Sequence, residues 1–176
     1  MGEKGETHKA NRGPAAAEEN RRALIAAARE LFAEKGFAVP FSAVARRAGV
    51  GQASLYRHFP DKVALGVAVF AENLADLEKH PLDLHGFLEE IAGQARVSAS
   101  LLEALIAART PRAHELAGRL RALIEGILER EGLDPSVTAD DVQAAVSMVA
   151  FHTAATPTPD AAERAIAIVE RGLRAR

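Results

Sequence analysis

The chain has no cysteine among its 176 residues, which excludes disulfides and thiolate metal sites. No run reaches the roughly 18 apolar residues that a membrane-spanning helix needs. No early segment combines a basic start, an apolar core and a small-residue cleavage site, so a cytoplasmic rather than exported protein is expected. Period-two apolar runs of strand length are missing as well, which leaves helices to build the core. There is no P-loop, no glycine-rich dinucleotide turn, no HExxH pair and no nucleophile elbow around any serine. The six histidines, at positions 8, 58, 80, 85, 114 and 152, lack ligand spacing. No enzyme activity, cofactor or metal is therefore expected. No internal repeat is visible.

What is present is the composition of a globular protein, 48% apolar and 26% charged. The net charge of −2 conceals a split. Residues 1–62 hold 11 Lys and Arg against 7 Asp and Glu, a balance of +4. Residues 63–176 hold 11 against 17, a balance of −6. A basic head on an acidic body suits a polyanion bound through the head alone.

Residues 1–17 are polar, contain glycine and show no periodicity, so a flexible tail is expected there. Its Lys4, Lys9 and Arg12 are open to DNA phosphates or to no role at all. From Glu18 the pattern turns helical. Leu24, Ile25, Ala28, Leu31 and Phe32 form one apolar face, and Lys35-Gly36 closes the helix. Pro40 suits the first turn of a short second helix that ends near Ala48, with Phe41, Val44 and Ala45 inward. Arg46 and Arg47 fall on its outer side, as phosphate contacts or as solvated surface.

The segment Ala48 to Lys62 carries the most information. Gly49 can leave a helix with positive φ, and Val50 and Leu55 are spaced to pin a turn and a following helix. Between them stands a hydrogen-bonding set: Gln52, Ser54, Tyr56, Arg57 and His58. This is the turn and second helix of a helix-turn-helix, an element that lies in a DNA major groove. A fourth helix restarts at Pro60-Asp61. Its stripe of Val63, Val67, Phe70, Leu74 and Leu77 runs to about Lys79, long enough to leave the head for the body.

The body reads as helical throughout. Phe87, Leu88, Ile91 and Ala95 mark one helix. Leu101, Leu102, Leu105 and Ile106 mark another, or its continuation past Ser98 and Ser100. After Pro111 a stripe from Leu116 to Ile127 runs to about Glu131. Thr138 and Asp141 resemble a capping box that opens a helix to about Thr153, and a last helix carries Ala162, Ile166, Val169 and Leu173. The fold class is all-α.

The segment Arg22 to Phe70 resembles the N-terminal domain of TetR/AcrR-type bacterial transcriptional regulators. The resemblance rests on Ala27-Ala28 with Leu31-Phe32-Ala33-Glu34-Lys35-Gly36-Phe37, on Val44-Ala45-Arg46-Arg47-Ala48-Gly49-Val50, and on Ser54-Leu55-Tyr56-Arg57-His58-Phe59 followed by Lys62 and Leu65. It implies a three-helix DNA-binding head over residues 18–62. A long fourth helix would join that head to a helical effector-binding and dimerisation body over residues 63–176, with about nine helices in all. Three positions depart from the family pattern: Val39 where a capping Thr is common, Gly51 where Ser caps the recognition helix, and Ala53 where Gly is frequent.

Carried over residue by residue, the resemblance places DNA contacts at Ser42, Gln52, Ala53, Ser54, Tyr56, Arg57, His58 and Lys62, with Ser42 and Lys62 on phosphates. Tyr56 and His58 have a second role open to them, bracing the head. The expected partners are a double-stranded DNA operator, a small-molecule effector and a second copy of the chain, with no membrane. Dimers of this type pair the last two helices of each chain, here about Thr138–Thr153 and Asp160–Arg174. Effector candidates are Phe70, Leu74, Phe87, Ile91, Leu105, Leu120 and Ile124, with Arg109 and His152 as polar groups. Gln94, Arg96 and His114 are further polar candidates, and solid core is the alternative to a pocket. A helical protein-interaction module without ligand or sequence-specific DNA binding is the rival reading. The outward Gln52, Arg57 and Lys62 argue against it, since an interaction face is more apolar.

Overall fold

Where the apolar stripes recur every three to four residues, the chain folds into helices packed along those stripes. The computed structural model describes residues 13–80, 82–131, 133–156, 158 and 160–174. Among them lie nine helices: α1 (Gly13–Lys35), α2 (Phe41–Ala48), α3 (Gln52–His58), α4 (Lys62–Lys79), α5 (Leu84–Gly93), α6 (Ala95–Ala107), α7 (Pro111–Arg130), α8 (Ala139–Ala155) and α9 (Ala161–Leu173). No strand occurs among the described residues beyond one isolated bridge between Leu133 and Arg174. No helix there is long and apolar enough to cross a membrane.

Local chemistry sets the boundaries. α1 begins at Gly13, so the expected tail is helical over residues 13–17. Pro14 sits in the first turn, where its missing N–H costs nothing, and Ala15, Ala16 and Ala17 are the strongest helix formers. The remainder of that tail, with Lys4, Lys9 and Arg12, lies outside the described residues. Gly36 and Gly49 take φ of +71° and +66°, closing α1 and α2 in the left-handed region. Past Gly49, the Val50 N–H donates to the Ala45 carbonyl at 3.0 Å, which reverses the chain into α3. Pro40 is the N-cap of α2 and not part of its first turn; no side chain caps that helix. Asp61 caps α4 by accepting from the Ala64 N–H at 2.7 Å. The Thr138–Asp141 capping box is present on α8.

One boundary differs from the sequence expectation. α5 ends at Gly93, and Ala95, assigned by its spacing to the first body helix, opens α6. Ser98 and Ser100 interrupt nothing. Their hydroxyls donate to the carbonyls of Ile91 (3.2 Å) and Arg96 (2.7 Å), so both are satisfied inside the packed region.

α6 is the central strut. It packs against α1, α4, α5 and α8, while α9 covers α5 and α8, and α7 covers α4 and α8. The buried side chains form one continuous cluster from Leu24 in α1 to Leu173 in α9. α4 meets α6 tightly at Gly66. A Cβ placed there would lie 2.6 Å from the Ala104 Cβ and 3.1 Å from the Phe37 ring. Helix glycines therefore split into two kinds. Gly66→Ala should lower stability by about 1–3 kcal/mol through overpacking. Gly118→Ala, on the exposed face of α7 with nothing within 4 Å, should raise it by about 0.5–1 kcal/mol. Urea midpoints at constant m-value measure both, and equal signs for the two variants would refute this account of the α4–α6 contact.

Candidate nucleic-acid interface

α3 has only seven residues, and its position depends on what its inner side buries. Leu55 is fully buried and Phe59, just past the helix, is 4% exposed. Ser54 belongs to this inner side too. It is 8% exposed, and its Oγ is buried without a hydrogen-bond partner among the described residues. The groove-side role expected for Ser54 is therefore not available to its hydroxyl in this conformation. One residue of helix rotation separates it from Ala53, which is exposed.

The outer side carries Gln52, Ala53, Tyr56 and Arg57, all exposed, with Ser42 exposed on α2. Neither Gln52 nor Arg57 enters any side-chain hydrogen bond or ion pair among the described residues. Tyr56 is 57% exposed, yet its ring meets the Phe41 ring edge-on at 5.3 Å. That contact braces the phenol and leaves its hydroxyl without a partner among the described residues. His58 is half-buried beside the Phe59 ring at 6.4 Å, at the margin of this face.

The neighbouring cations divide by partner. Arg47 makes a two-pronged contact with Glu34 (2.8 and 2.9 Å) and a third hydrogen bond to Glu30 (3.0 Å), tying α2 to α1. The Arg47 hydrogen bonds hold the Glu34 carboxyl below the usual carboxylate range, and those carboxylates raise Arg47. Arg47 is thus occupied inside the head, while Arg46 is exposed and enters no ion pair among the described residues. Lys62 is largely occupied as well. Its Nζ donates to the carbonyls of Phe37 (2.5 Å) and Val39 (3.2 Å) and lies 4.8 Å from the Phe37 ring centroid. The expected free phosphate donor is in the first place a clamp on the α1–α2 connection. One of its three N–H groups remains for an outside acceptor.

In the body, a cavity of about 390 Å³ opens between α1, α4, α5, α6, α7 and α8. Of the expected effector residues, Phe70, Leu74, Ile91 and Leu120 line it. Phe87 lines a second cavity of about 330 Å³ beside α7. Leu105, Arg109, Ile124 and His152 line neither. Ile124 is fully buried core, whereas Arg109 and His152 are exposed. Among the further polar candidates, Gln94 reaches the main cavity. Arg96 instead donates to the Glu34 carbonyl at 3.0 Å, and His114 pairs with the Thr110 carbonyl at 2.9 Å.

The polar wall that sequence reasoning missed is Arg29, Asn73, Asp76, His80, Glu90 and Ser98. A signal for Arg29 was present: it stands four residues after Ile25 and three before Phe32, a charge on the flank of an apolar stripe.

Lys62→Ala should lower stability by about 1–2 kcal/mol by leaving two carbonyls without their charged donor. Arg57→Ala, which removes no internal contact, should stay within about 0.5 kcal/mol of the parent. Urea unfolding of the two variants decides this, and a Lys62→Ala midpoint equal to the parent's would remove the clamp.

Residues 24–69 match the family model described as bacterial regulatory proteins, tetR family. No curated protein matches. Solved structures match over most of the chain. A TetR transcription regulatory protein from Mycobacterium vanbaalenii is 27% identical, with 92% of this chain and 98% of that one covered and a TM-score of 0.56. A TetR transcriptional regulator from Streptomyces coelicolor is also 27% identical, covering 88% and 98%, with a TM-score of 0.52. TylP, a TetR regulator from Streptomyces fradiae, is 22% identical over 90% and 88%, with a TM-score of 0.57, and shows the shared fold. Residues 24–69 thus carry the helix-turn-helix head that the tetR-family model describes, and over the remainder the all-α chain is similar to solved TetR-type transcriptional regulators.

Proposed function

We propose that the chain is a ligand-responsive repressor that binds a palindromic operator as a homodimer and leaves it when a small molecule fills the body cavity. The observation that carries this reading is the outer face of α3: Gln52 and Arg57 are exposed and unengaged on a helix whose other face is locked into the core. Arg reads guanine and Gln reads adenine through paired hydrogen bonds, each worth about 1–3 kcal/mol of discrimination. Ser42, Tyr56, His58 and the third Lys62 donor supply phosphate and sugar contacts around them. Ala53 offers a methyl to a thymine methyl.

A seven-residue helix reads few base pairs, so useful affinity requires two heads. The surface that suits pairing lies on α8 and α9, where Met148, Phe151 and Ile168 are 60%, 46% and 63% exposed. Three large apolar side chains on two adjacent helices favour burial against an equal surface related by a two-fold axis. Residues 18–62 then serve as the DNA head and residues 63–176 as the effector and dimerisation body. Of the effector set, Phe70, Leu74, Ile91 and Leu120 remain as apolar wall. A ligand bound better at one spacing of the two heads shifts the population toward that spacing and off the operator. Occupying a promoter blocks transcription without any further partner surface, and the work takes place where the DNA is, in the cytoplasm.

Selection of DNA fragments by the full chain from a random pool should enrich an inverted repeat with half-sites about one helical turn apart or a multiple of it. A pool that stays random, or a single unpaired half-site, overturns the operator reading. Separately, Ile168→Glu should convert a dimer to a monomer in light scattering at micromolar concentration; a parent chain that is already monomeric removes the dimer.

A further inference from the structure

A charged side chain from the DNA-binding head stands in the wall of the body cavity. Arg29 belongs to α1, the helix that carries the head's own core residues Leu24, Ile25, Leu31 and Phe32, yet it lines the 390 Å³ space between the body helices. Its Nε is buried and has no hydrogen-bond partner among the described residues. Its only ion pair there is a long one, 3.5 Å from an Nη to Glu72. A guanidinium has five N–H donors in a planar fork; this side chain is 36% exposed, so its outer donors meet water or Glu72, and Nε alone is buried without an acceptor. A buried charged donor left unsatisfied is costly, and an acceptor brought by a ligand removes that cost.

The other charges around the cavity decide which kind of ligand fits. Asp76 and Glu90 also line it, and on their own they would draw a lipophilic cation. Asp76 is already held by Lys79 at 2.7 Å. Glu90 and Gln94 are exposed and bonded to each other, in water that screens their charge. The donor that water does not reach is Arg29 Nε, and the half-buried Asn73 lines the same cavity with an amide that can also donate. The remaining wall is apolar, with Phe70, Leu74, Leu101 and Leu120 among it.

We infer that the cavity receives a small monocarboxylate with an apolar body, whose carboxylate seats on Arg29. This rests on the reading of the cavity as the effector site and names the chemistry of that effector. The planar fork of Arg29 matches a carboxylate in two parallel hydrogen bonds. The apolar tail lies against the leucines of α4, α6 and α7. The seat also gives the ligand a direct hold on the head, because Arg29 rides on α1 and α1 packs against α2 and α3.

Decanoate, decanol and decylamine, each below its micelle-forming concentration, probe this on the full-length chain by calorimetric titration. Decanoate should bind most tightly of the three. Arg29→Gln should weaken decanoate about tenfold or more and leave decanol unchanged. Arg29→Lys, which keeps the charge and loses the fork, should fall between them. Decanol binding by each variant reports that its cavity is folded. Hydrogen exchange along α1 and α3 should slow with decanoate in the parent chain and not in Arg29→Gln.

If decylamine binds best, or decanoate binds the parent and Arg29→Gln equally, the carboxylate seat is overturned while the effector site stands. If none of the three binds the parent chain, the seat falls. The effector reading is then judged separately, by screening small molecules of other classes for release of the selected operator.

Discussion

The contact on which the rest of this molecule depends is the approach of α4 to α6 at Gly66 and Ala104, with the Phe37 ring closing the third side. Backbone approach this close needs a residue without a Cβ on one side and a small one on the other. Phe37 belongs to the α1–α2 connection, so head and body meet here as well as along α1, which packs on α4 and α6. Around it, Lys62 clamps the Phe37 and Val39 carbonyls from α4, and Arg96 on α6 holds the Glu34 carbonyl near the end of α1. The head is therefore attached to the body along two helices, α4 by covalent continuity and α6 by packing. Its angle is set by how these helices lie on one another.

Under the proposed ligand response, that double attachment would carry a signal from the body to α3 without a hinge. Close-packed interfaces move between discrete arrangements more readily than they stretch. A ligand that alters the α4–α6 spacing acts at the point where Phe37 is trapped, and α1 and α2 follow because Arg47 ties them together through Glu30 and Glu34. The ion pair at that tie lies on an exposed surface, so its energetic weight is small. Its geometry is the more useful part: a two-pronged Arg–carboxylate contact fixes orientation as well as distance.

Much of this was legible in the sequence, for reasons that differ by element. Helix stripes, the Asp61 cap and the Thr138–Asp141 box are local, and local signals survive folding. The head was legible through its dense resemblance to the TetR family. The burial of Ser54 was not, because a single step along a seven-residue helix moves a side chain from solvent to core, and only the packing of Leu55 and Phe59 fixes that rotation. The internal clamp made by Lys62 was hidden for a related reason. A lysine at a helix start is drawn to whatever carbonyls or phosphates the tertiary fold brings near, and here Phe37 and Val39 arrive first. The cavity wall was half legible: apolar residues at core spacing line it, but spacing alone does not separate Phe70 beside the cavity from Ile124 in solid core. The α5–α6 boundary left no mark in the pattern, since Ser100 bonds within α6 and Ser98 reaches back to the Ile91 carbonyl of α5.

The same bookkeeping of partners narrows what the head's positive charge can do. The +4 balance of residues 1–62 includes Arg47 and Lys62, whose charges are largely spent on internal contacts. Arg29 faces the body cavity, and Arg21 lies over the Phe59 ring at 5.6 Å. What remains on the α2–α3 side is chiefly Arg46 and Arg57, unengaged beside the neutral donors of Ser42, Gln52 and Tyr56. A surface of this kind binds a polyanion weakly by charge alone, because each neutralised phosphate contributes separately to the salt-dependent attraction. Its selectivity must come from the fixed positions of a few hydrogen-bonding groups on α3. Under the proposed operator binding, the rigidity of the head, secured by internal contacts such as Arg47 with Glu34, would be as much a part of recognition as the groups that meet DNA.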